Sequence, residues 1–221
     1  MVELTIDGIN TSEYEGSTVL QAAQGVGIVI PTLCYHPGLT PYGACRLCVV
    51  EVMKGNRSSL EASCTLPVES GQRILTNSEK VRKGRKLIIE LLLASCPNSK
   101  TLQDMASNMG INRVRFKIKD RSCILCGRCV RYCKEQMQSG GIGFIHRGTS
   151  RRVATAFDTA PEECRNCGGC QWICPVCERA CTVDNLVDGV CGGCQNLIPV
   201  ETCPLCTRCS ESITPKGHKV Y

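Results

Sequence analysis

The stretch CILCGRCVRYC, residues 123–133, carries four cysteines in the spacing C-x2-C-x2-C-x3-C. The same spacing returns in CRNCGGCQWIC, residues 164–174, and Pro175 follows its last cysteine. A duplicated run of this kind is typical of bacterial ferredoxins that hold two [4Fe–4S] clusters. Two zinc sites built from the same thiols are the alternative that the spacing leaves open.

In such ferredoxins the fourth cysteine of each run belongs to the cluster of the other run. The duplicated spacing therefore predicts two ligand sets that exchange one member. The first set is Cys123, Cys126, Cys129 and Cys174, and the second is Cys133, Cys164, Cys167 and Cys170. Because the exchange ties both runs together, we predict one small two-[4Fe–4S] domain over residues 113–176.

A third group of cysteines precedes these runs in the spacing C-x10-C-x2-C-x15-C. Its members are Cys34, Cys45, Cys48 and Cys64. Four thiolates from one loop and a following strand suit a [2Fe–2S] cluster, although the plant-type run has four residues in its first gap. A Rieske site would replace two cysteines by histidines. CRLC at 45–48 contains no histidine, so we interpret His36 as a loop residue.

Composition agrees with a metal-stabilised protein rather than one with a large core. Cysteine makes up 20 of the 221 residues, while there are one Trp, three Phe and five Tyr. Small domains that lack a large core depend on disulfides or metals. The residues after Met1 do not resemble a signal peptide, and the apolar run at 87–94 contains Glu90 and is too short to cross a membrane. We therefore expect a cytoplasmic protein without a membrane contact, whose reduced cysteines bind metal.

The formal net charge of +6 does not point to nucleic acid. Each cysteine-ligated cluster carries roughly −2 in its oxidised form, so three clusters would offset this excess. Basic residues interleave with the cysteines, as Arg46, Arg121 and Arg128 do, and no stacking aromatics accompany them. We interpret these residues as local counter-charges and predict no nucleic-acid partner.

Residues 1–77 are expected to form a domain of strands and turns, and residues 78–112 a helical linker. In the first part we predict strands at 2–6, 14–18, 49–53 and 73–75, a hairpin turn at Asp7-Gly8, and a helix at 19–23 capped by Ser17. In the second part we predict a helix at 78–95 capped by Ser78 and another at 101–109 ended by Gly110. The apolar stripe of the longer helix is Val81, Leu87, Ile88, Leu91 and Leu92.

Residues 177–221 form a cysteine-rich module and tail. The pairs CGGC at 191–194 and CPLC at 203–206 resemble two metal-binding knuckles. They favour one tetrahedral zinc site, whose ligands would be Cys191, Cys194, Cys203 and Cys206. The alternative is a further [4Fe–4S] cluster on Cys203, Cys206 and Cys209, with a fourth ligand from Cys177, Cys181 or Cys194.

Two local sequences carry a family resemblance. PTLCYHPG at 31–38 and GACRLCVVEV at 43–52 resemble the N-terminal region of the large iron–sulfur subunit of respiratory complex I. The iron-only hydrogenases and the small diaphorase subunits of NAD-linked hydrogenases begin with the same region. Residues 123–133 also resemble a segment of these complex I and hydrogenase subunits. The resemblance implies an α+β chain that starts with a β-grasp [2Fe–2S] domain, in which Cys34, Cys45, Cys48 and Cys64 are the ligands.

The chain departs from this family between its two ferredoxin-like parts. The family carries a [4Fe–4S] site there with the spacing H-x3-C-x2-C-x5-C, whereas ASCPNSK at 94–100 has one thiol and no histidine. We therefore expect that cluster to be missing and Cys96 to be a small buried residue. The resemblance covers residues 1 to about 175 and implies no hydrogenase or molybdopterin domain within the sequence.

The sequence contains no nucleophile–base set, phosphate loop or dinucleotide fingerprint, so no catalytic residue is predicted. A chain that binds several clusters moves electrons, and a flavin normally converts the two-electron hydride of NAD(P)H to one-electron steps. The resemblance implies a non-catalytic subunit that connects an FMN-containing, NADH-binding flavoprotein to a second redox subunit or ferredoxin. We expect a soluble complex such as a bifurcating transhydrogenase, a hydrogenase or a formate dehydrogenase. The alternatives are a free multi-cluster ferredoxin and a zinc-stabilised regulatory or interaction protein.

Overall fold

The computed structural model describes residues 1–119, 121–155, 157, 162, 164 and 167–176, and the backbone of 186–187 and 190–191. The predicted metal site of the 177–221 module lies outside the described residues, apart from the backbone of a short antiparallel pair, Leu186–Val187 with Val190–Cys191. The chain divides into two compact units. The first contains Met1–Leu92 and Ala106–Phe116, and the second contains Leu93–Met105 and the described residues from Lys117 onward.

The first unit is built on a five-stranded mixed sheet. Its strands are β1 (Val2–Ile6), β2 (Ile9–Glu13), β3 (Val49–Lys54), β4 (Arg57–Ala62) and β5 (Gln72–Leu75), in the order β2-β1-β5-β3-β4. Strands β1 and β5 pair in parallel and the other neighbours are antiparallel. Helix α1 (Val19–Gly25) buries Val19, Leu20, Ala22 and Ala23 in the same core as the sheet residues Leu4, Ile6, Val50, Val52 and Ile74. The combination of sheet and helix confirms the predicted α+β class.

The first hairpin forms where Asp7-Gly8 predicts it, but its return strand begins earlier than expected. Asp7 and Gly8 both have positive φ, +50° and +86°, as a two-residue hairpin turn requires. Ile6 therefore pairs directly with Ile9. The predicted strand at 14–18 is wrong, because β2 already ends at Glu13.

Helix α1 begins at Val19 as predicted, but its N-cap lies one residue later than expected. Thr18, rather than Ser17, is the N-cap, and it forms a capping box with Gln21. The Thr18 N–H donates to Gln21 Oε1 at 2.8 Å, while the Gln21 N–H donates to Thr18 Oγ1 at 3.4 Å. This reciprocal pair satisfies two backbone donors that Ser17 could not reach together.

Strand β4 is an element that the sequence pattern does not predict. Its sequence, RSSLEA, is mostly polar, and it is the edge strand beside β3. The turn between the two strands contains Gly55 at φ +60°. An edge strand needs little apolar surface, so its hydrophobic signal is weak.

Helix α2 (Glu79–Ser95) has the predicted cap but a different buried face. The Val81 N–H donates to Ser78 Oγ at 3.2 Å, which confirms Ser78 as the cap. Within the predicted apolar stripe, Leu87 and Leu91 are 44% and 45% exposed. The buried residues at four-residue spacing are instead Val81, Arg85 and Ile89. Helix α3 follows at Lys100–Asn108, close to its predicted position.

In the second unit, the repeated cysteine spacing gives a repeated local structure. Helices α4 (Arg128–Glu135) and α5 (Gly169–Trp172) each begin directly after a glycine with left-handed backbone, Gly127 at φ +72° and Gly168 at φ +67°. The two helices pack so closely that a Cβ on Gly169 would lie 2.0 Å from Cε1 of Tyr132. A short hairpin, β6 (Gly143–Ile145) with β7 (Arg152–Ala154), occupies the chain between them.

Among the described residues, no helix combines the length and the apolar character that a membrane span requires.

Candidate metal centres

The first centre lies in the first unit and is formed by four buried thiols. Cys34, Cys45 and Cys48 lie on the loop between α1 and β3, and Cys64 lies in the turn after β4. Their exposed fractions are 0%, 6%, 1% and 0%, respectively. The Cys34 N–H donates to Cys45 Sγ at 3.4 Å, and the Cys45 N–H donates to Cys34 Sγ at 3.5 Å. The structure thus brings all four sequence-predicted residues to one buried site.

The four sulfurs interact strongly with one another. Hydrogen bonds from the thiols of Cys45 and Cys64 hold the pKa of Cys34 far below its usual value. A hydrogen bond from Cys64 likewise lowers the pKa of Cys48 to about 6. The pKa of Cys45 is raised in return, first by its hydrogen bond to Cys34 and then by burial, and that of Cys64 by its hydrogen bonds to Cys34 and Cys48 and then by burial. Iron binds cysteine as thiolate, so a cluster on this set would displace the protons that the four sulfurs share.

Ser63 connects the two segments that carry these cysteines, and sequence reasoning missed it. Its hydroxyl donates to the Cys48 carbonyl at 2.8 Å, and its N–H donates to the same oxygen at 3.1 Å. Ser63 is fully buried. The turn that carries Cys64 is therefore fixed to the loop that carries Cys48, and the only sequence signal for this was the position of Ser63 beside a cysteine.

His36 lies in the loop that carries Cys34. Its Nδ1 accepts the Gly38 N–H at 3.2 Å and so stabilises a local turn. This is the loop role that the sequence indicates for His36.

The second centre lies in the second unit and joins both cysteine runs. Burial first, and then the nearby charges of Cys174 and Cys123, raise the pKa of Cys126 to about 12. The pKa of Cys129 is also raised, first by burial and then by Cys126, Cys174 and Cys123. Cys174 from the later run is thus a neighbour of the three leading cysteines of the earlier run.

The third centre shows the reverse exchange. Burial raises the pKa of Cys170 to about 12, with further contributions from Cys167, Cys133 and Cys164. Cys133 comes from helix α4 in the earlier run, whereas Cys170 lies on helix α5 in the later one. Cys164 is exposed and Cys167 is half-buried. Cys133 of the earlier run thus lies near cysteines of the later run, and Cys170 also lies near Cys129.

A cavity of about 360 Å³ lies against the second centre. It is lined by Cys123, Cys129, Cys174 and Cys170, and by the basic residues Arg121, Arg151 and Arg152. The Arg121 guanidinium donates to the Thr149 carbonyl at 2.5 Å, and that of Arg151 stacks 3.8 Å from the ring centre of Phe144. The cations beside the thiols can balance the negative charge that thiolates bring.

Cys96 is an additional buried thiol of the second unit. It is 1% exposed, as predicted, and burial raises its pKa to about 12. The charges of Cys123 and Cys174 contribute to that increase. Cys96 therefore lies near the second centre, but its spacing places it outside both predicted ligand sets.

Among the described residues, no three or more Cys, His, Asp or Glu side chains surround one point as the ligands of a single ion would. A cluster instead distributes four thiolates over two or four irons. The burial and mutual approach of the sulfurs are thus the features that fit a cluster here.

Comparison with known proteins agrees with this geometry. Residues 1–79 match the family described as "2Fe-2S iron-sulfur cluster binding domain". An NADH-quinone oxidoreductase subunit of Rhizobium meliloti is 33% identical over 203 residues, covering 80% of this chain and 23% of the relative. The NADP-reducing hydrogenase subunit HndD of Solidesulfovibrio fructosivorans is 36% identical over 207 residues, covering 79% and 35%. The NADH-ubiquinone oxidoreductase 75 kDa subunit of Reclinomonas americana is 34% identical over 180 residues, covering 70% and 26%.

A solved structure extends the match to the fold. A chain of an NAD⁺-reducing [NiFe]-hydrogenase in the H₂-reduced state superposes with a TM-score of 0.61 and 31% identity. The match covers 70% of this chain and 74% of the hydrogenase chain. The chain belongs to this family of iron–sulfur subunits.

Residues 1–79 of this chain form a [2Fe–2S] domain of that family. The matched residues include all four buried cysteines of the first centre. The chain spans about a quarter to a third of the length of the curated relatives it matches.

Proposed function

We propose that this chain is the electron-transfer subunit of a NADH-linked, flavin-dependent oxidoreductase. The observation that carries the proposal is the spacing of twelve cysteines, one C-x10-C-x2-C-x15-C series and two C-x2-C-x2-C-x3-C runs, which we group into three sets of four. We assign the [2Fe–2S] cluster to Cys34, Cys45, Cys48 and Cys64. The two [4Fe–4S] clusters are assigned to Cys123, Cys126, Cys129 and Cys174, and to Cys133, Cys164, Cys167 and Cys170.

The residues of the chain would hold each cluster rigidly and keep water from most of it. At the first centre, Ser63 and the two N–H···S hydrogen bonds between Cys34 and Cys45 fix the loop. At the second centre, Arg121, Arg151 and Arg152 supply positive charge near the thiolates. Bound clusters would accept and release single electrons. Three of them in one chain form a path rather than an isolated redox site.

The two-electron chemistry is assigned to a partner. NAD(P)H delivers a hydride, and a flavin divides it into single electrons. The names of the relatives include NADH, NADP and NAD⁺ as substrates of their complexes. We therefore propose an FMN-containing, NADH-binding flavoprotein on one side and a second redox subunit or ferredoxin on the other, in a cytoplasmic transhydrogenase, hydrogenase or formate dehydrogenase.

The domain limits remain part of the proposal. We assign residues 1–77 to the β-grasp [2Fe–2S] domain, 78–112 to the helical linker and 113–176 to the two-[4Fe–4S] domain. Residues 177–221 are assigned to a metal module with one zinc on Cys191, Cys194, Cys203 and Cys206. A further [4Fe–4S] cluster that uses Cys209 is the second candidate for this module.

The experiment is anaerobic purification of the native complex from its source, followed by addition of NADH. We expect the chain to co-purify with a flavoprotein, and NADH to bleach the visible absorption of its clusters. The isolated chain should keep its colour with NADH and lose it with dithionite. A native protein near 24 kDa, the mass of one chain, without flavin would indicate a free carrier. A colourless zinc protein would indicate a regulatory or interaction role.

A further inference from the structure

Helix α2 places a buried arginine beside the first centre. Arg85 is 9% exposed, and its Nη2 donates to the Val49 carbonyl at 2.8 Å. Val49 directly follows the ligand Cys48. Burial lowers the pKa of Arg85, and the negative charges of Cys48 and Asp7 offset part of that shift. Within the described part of the chain, the Arg85 Nε–H has no hydrogen-bond partner. The guanidinium is thus a fixed cation near the loop that carries a cluster ligand.

Helix α2 lies close to strands β3 and β4 at this point because Gly84, the residue before Arg85, has no side chain. A Cβ at Gly84 would lie 3.3 Å from Leu60 Cδ1 and 3.9 Å from Val49 Cγ2. Lys80, one turn earlier, donates to the Ser58 carbonyl on β4 at 3.0 Å. These contacts hold one face of α2 against β3 and β4, and so hold the position of Arg85.

Burying an arginine is costly unless a negative group compensates for it. Asp7 is the other group whose charge raises the Arg85 pKa. The Asp7 carboxylate already accepts hydrogen bonds from the Thr76 N–H and hydroxyl. The Cys48 loop therefore supplies one of the two negative charges near this cation, and reduction of a cluster there would add one more negative charge nearby.

We propose that Arg85 raises the reduction potential of the [2Fe–2S] cluster by placing a fixed, water-shielded cation beside the Cys48 loop. This inference rests on the proposed function, since it requires a cluster on the four cysteines. The cation stabilises the reduced state more than the oxidised state, because the reduced state is one charge more negative. Net charge around a cluster is one of the factors that set its potential.

The test is an anaerobic redox titration of the full-length protein, followed by the electron paramagnetic resonance signal of the reduced [2Fe–2S] cluster. We expect Arg85→Gln to lower the reduced-to-oxidised ratio about tenfold at a fixed potential, which is about 59 mV for one electron. Arg85→Lys keeps the charge and should restore most of the difference. The matched control is Arg82→Gln, since Arg82 is exposed on the same helix and its charge is screened by solvent.

Equal potentials for wild type and Arg85→Gln, or equal shifts for Arg85→Gln and Arg82→Gln, would overturn the proposal. If Arg85→Gln does not retain the cluster, Arg85→Met makes the same charge change without an unpaired polar group. Loss of the cluster in both, with retention in Arg85→Lys, would assign Arg85 a structural role and also overturn the tuning role. Absence of any [2Fe–2S] signal from wild-type protein would instead remove the proposed function, and this inference with it.

Discussion

At the residue scale, burial alone does not distinguish a ligand cysteine from a non-ligand cysteine. Cys45 and Cys96 are both buried, with exposed fractions of 6% and 1%. Cys45 exchanges backbone-to-sulfur hydrogen bonds with Cys34, whereas the raised pKa of Cys96 is due first to desolvation. Cys45 is therefore assigned as a ligand on its sulfur contacts, whereas Cys96 is assigned as a packing residue because its position lies outside the predicted ligand spacing.

This distinction predicts different outcomes for two serine substitutions. Cys45→Ser should remove the [2Fe–2S] cluster and lower the iron content by about 2 per chain, while the two [4Fe–4S] clusters remain. Cys96→Ser is the control and should leave the iron content unchanged. Iron analysis and the [2Fe–2S] paramagnetic signal measure both. Equal iron loss in the two variants would contradict the ligand assignment.

An ion pair between the buried Glu90 and the exposed Arg115 makes a second prediction at this scale. The Glu90 carboxylate accepts three hydrogen bonds from the Arg115 guanidinium at 2.7–3.0 Å and one from the Arg115 backbone N–H at 2.6 Å, and these lower the Glu90 pKa. A carboxylate whose pKa is lowered by folding stabilises the protein above its unfolded pKa, about 4.3, and loses this effect as the pH falls through its folded pKa.

We therefore expect Glu90→Gln to speed urea unfolding at pH 7, with a difference from wild type that shrinks as the pH falls below about 4.3. Circular dichroism over this pH range measures the unfolding rate. Glu79→Gln is the control, because Glu79 pairs with Lys83 on the exposed surface. A difference from wild type that stays constant with pH would show that shape, rather than charge, explains the effect.

At the scale of elements, the duplicated cysteine run predicts more than its ligands. Each run contains a glycine directly before a short helix, and Gly169 lies against the ring of Tyr132. Gly169→Ala should separate α4 from α5 and cause loss of iron from both [4Fe–4S] centres. Gly143→Ala is the control, since a Cβ there meets nothing within 4 Å and its φ is not positive. Full iron content in Gly169→Ala would contradict this packing account.

Local signals predicted the elements well where backbone chemistry is explicit. Asp7-Gly8, Ser78 and the strand at 49–53 are such cases, because turn conformation, capping and apolar alternation are properties of a few adjacent residues. The buried face of α2 could not be predicted, since burial of Arg85 depends on the Val49 carbonyl far away in sequence. Ser63 and Tyr132 were missed for the same reason, because their partners are set by tertiary packing.

At the scale of the whole molecule, the three predicted cysteine sets assign twelve thiols to one kind of chemistry, the binding of iron–sulfur clusters. Spacing predicts their membership because metal ligation constrains residues that are far apart in sequence, and this membership stays a prediction. The chain is 33–36% identical, over 70–80% of its length, to relatives that are about three to four times longer. The central claim is therefore that this subunit is an electron path made of three clusters, whatever follows it in its complex.

The measurement that tests this claim most directly is iron, acid-labile sulfide and zinc per chain in anaerobically purified full-length protein. One [2Fe–2S] and two [4Fe–4S] clusters predict about 10 iron and about 10 sulfide, with about one zinc from the C-terminal module. About 14 iron without zinc would keep the claim and assign a further cluster to the C-terminal cysteines. Iron near zero with several zinc ions per chain would contradict the electron-transfer account.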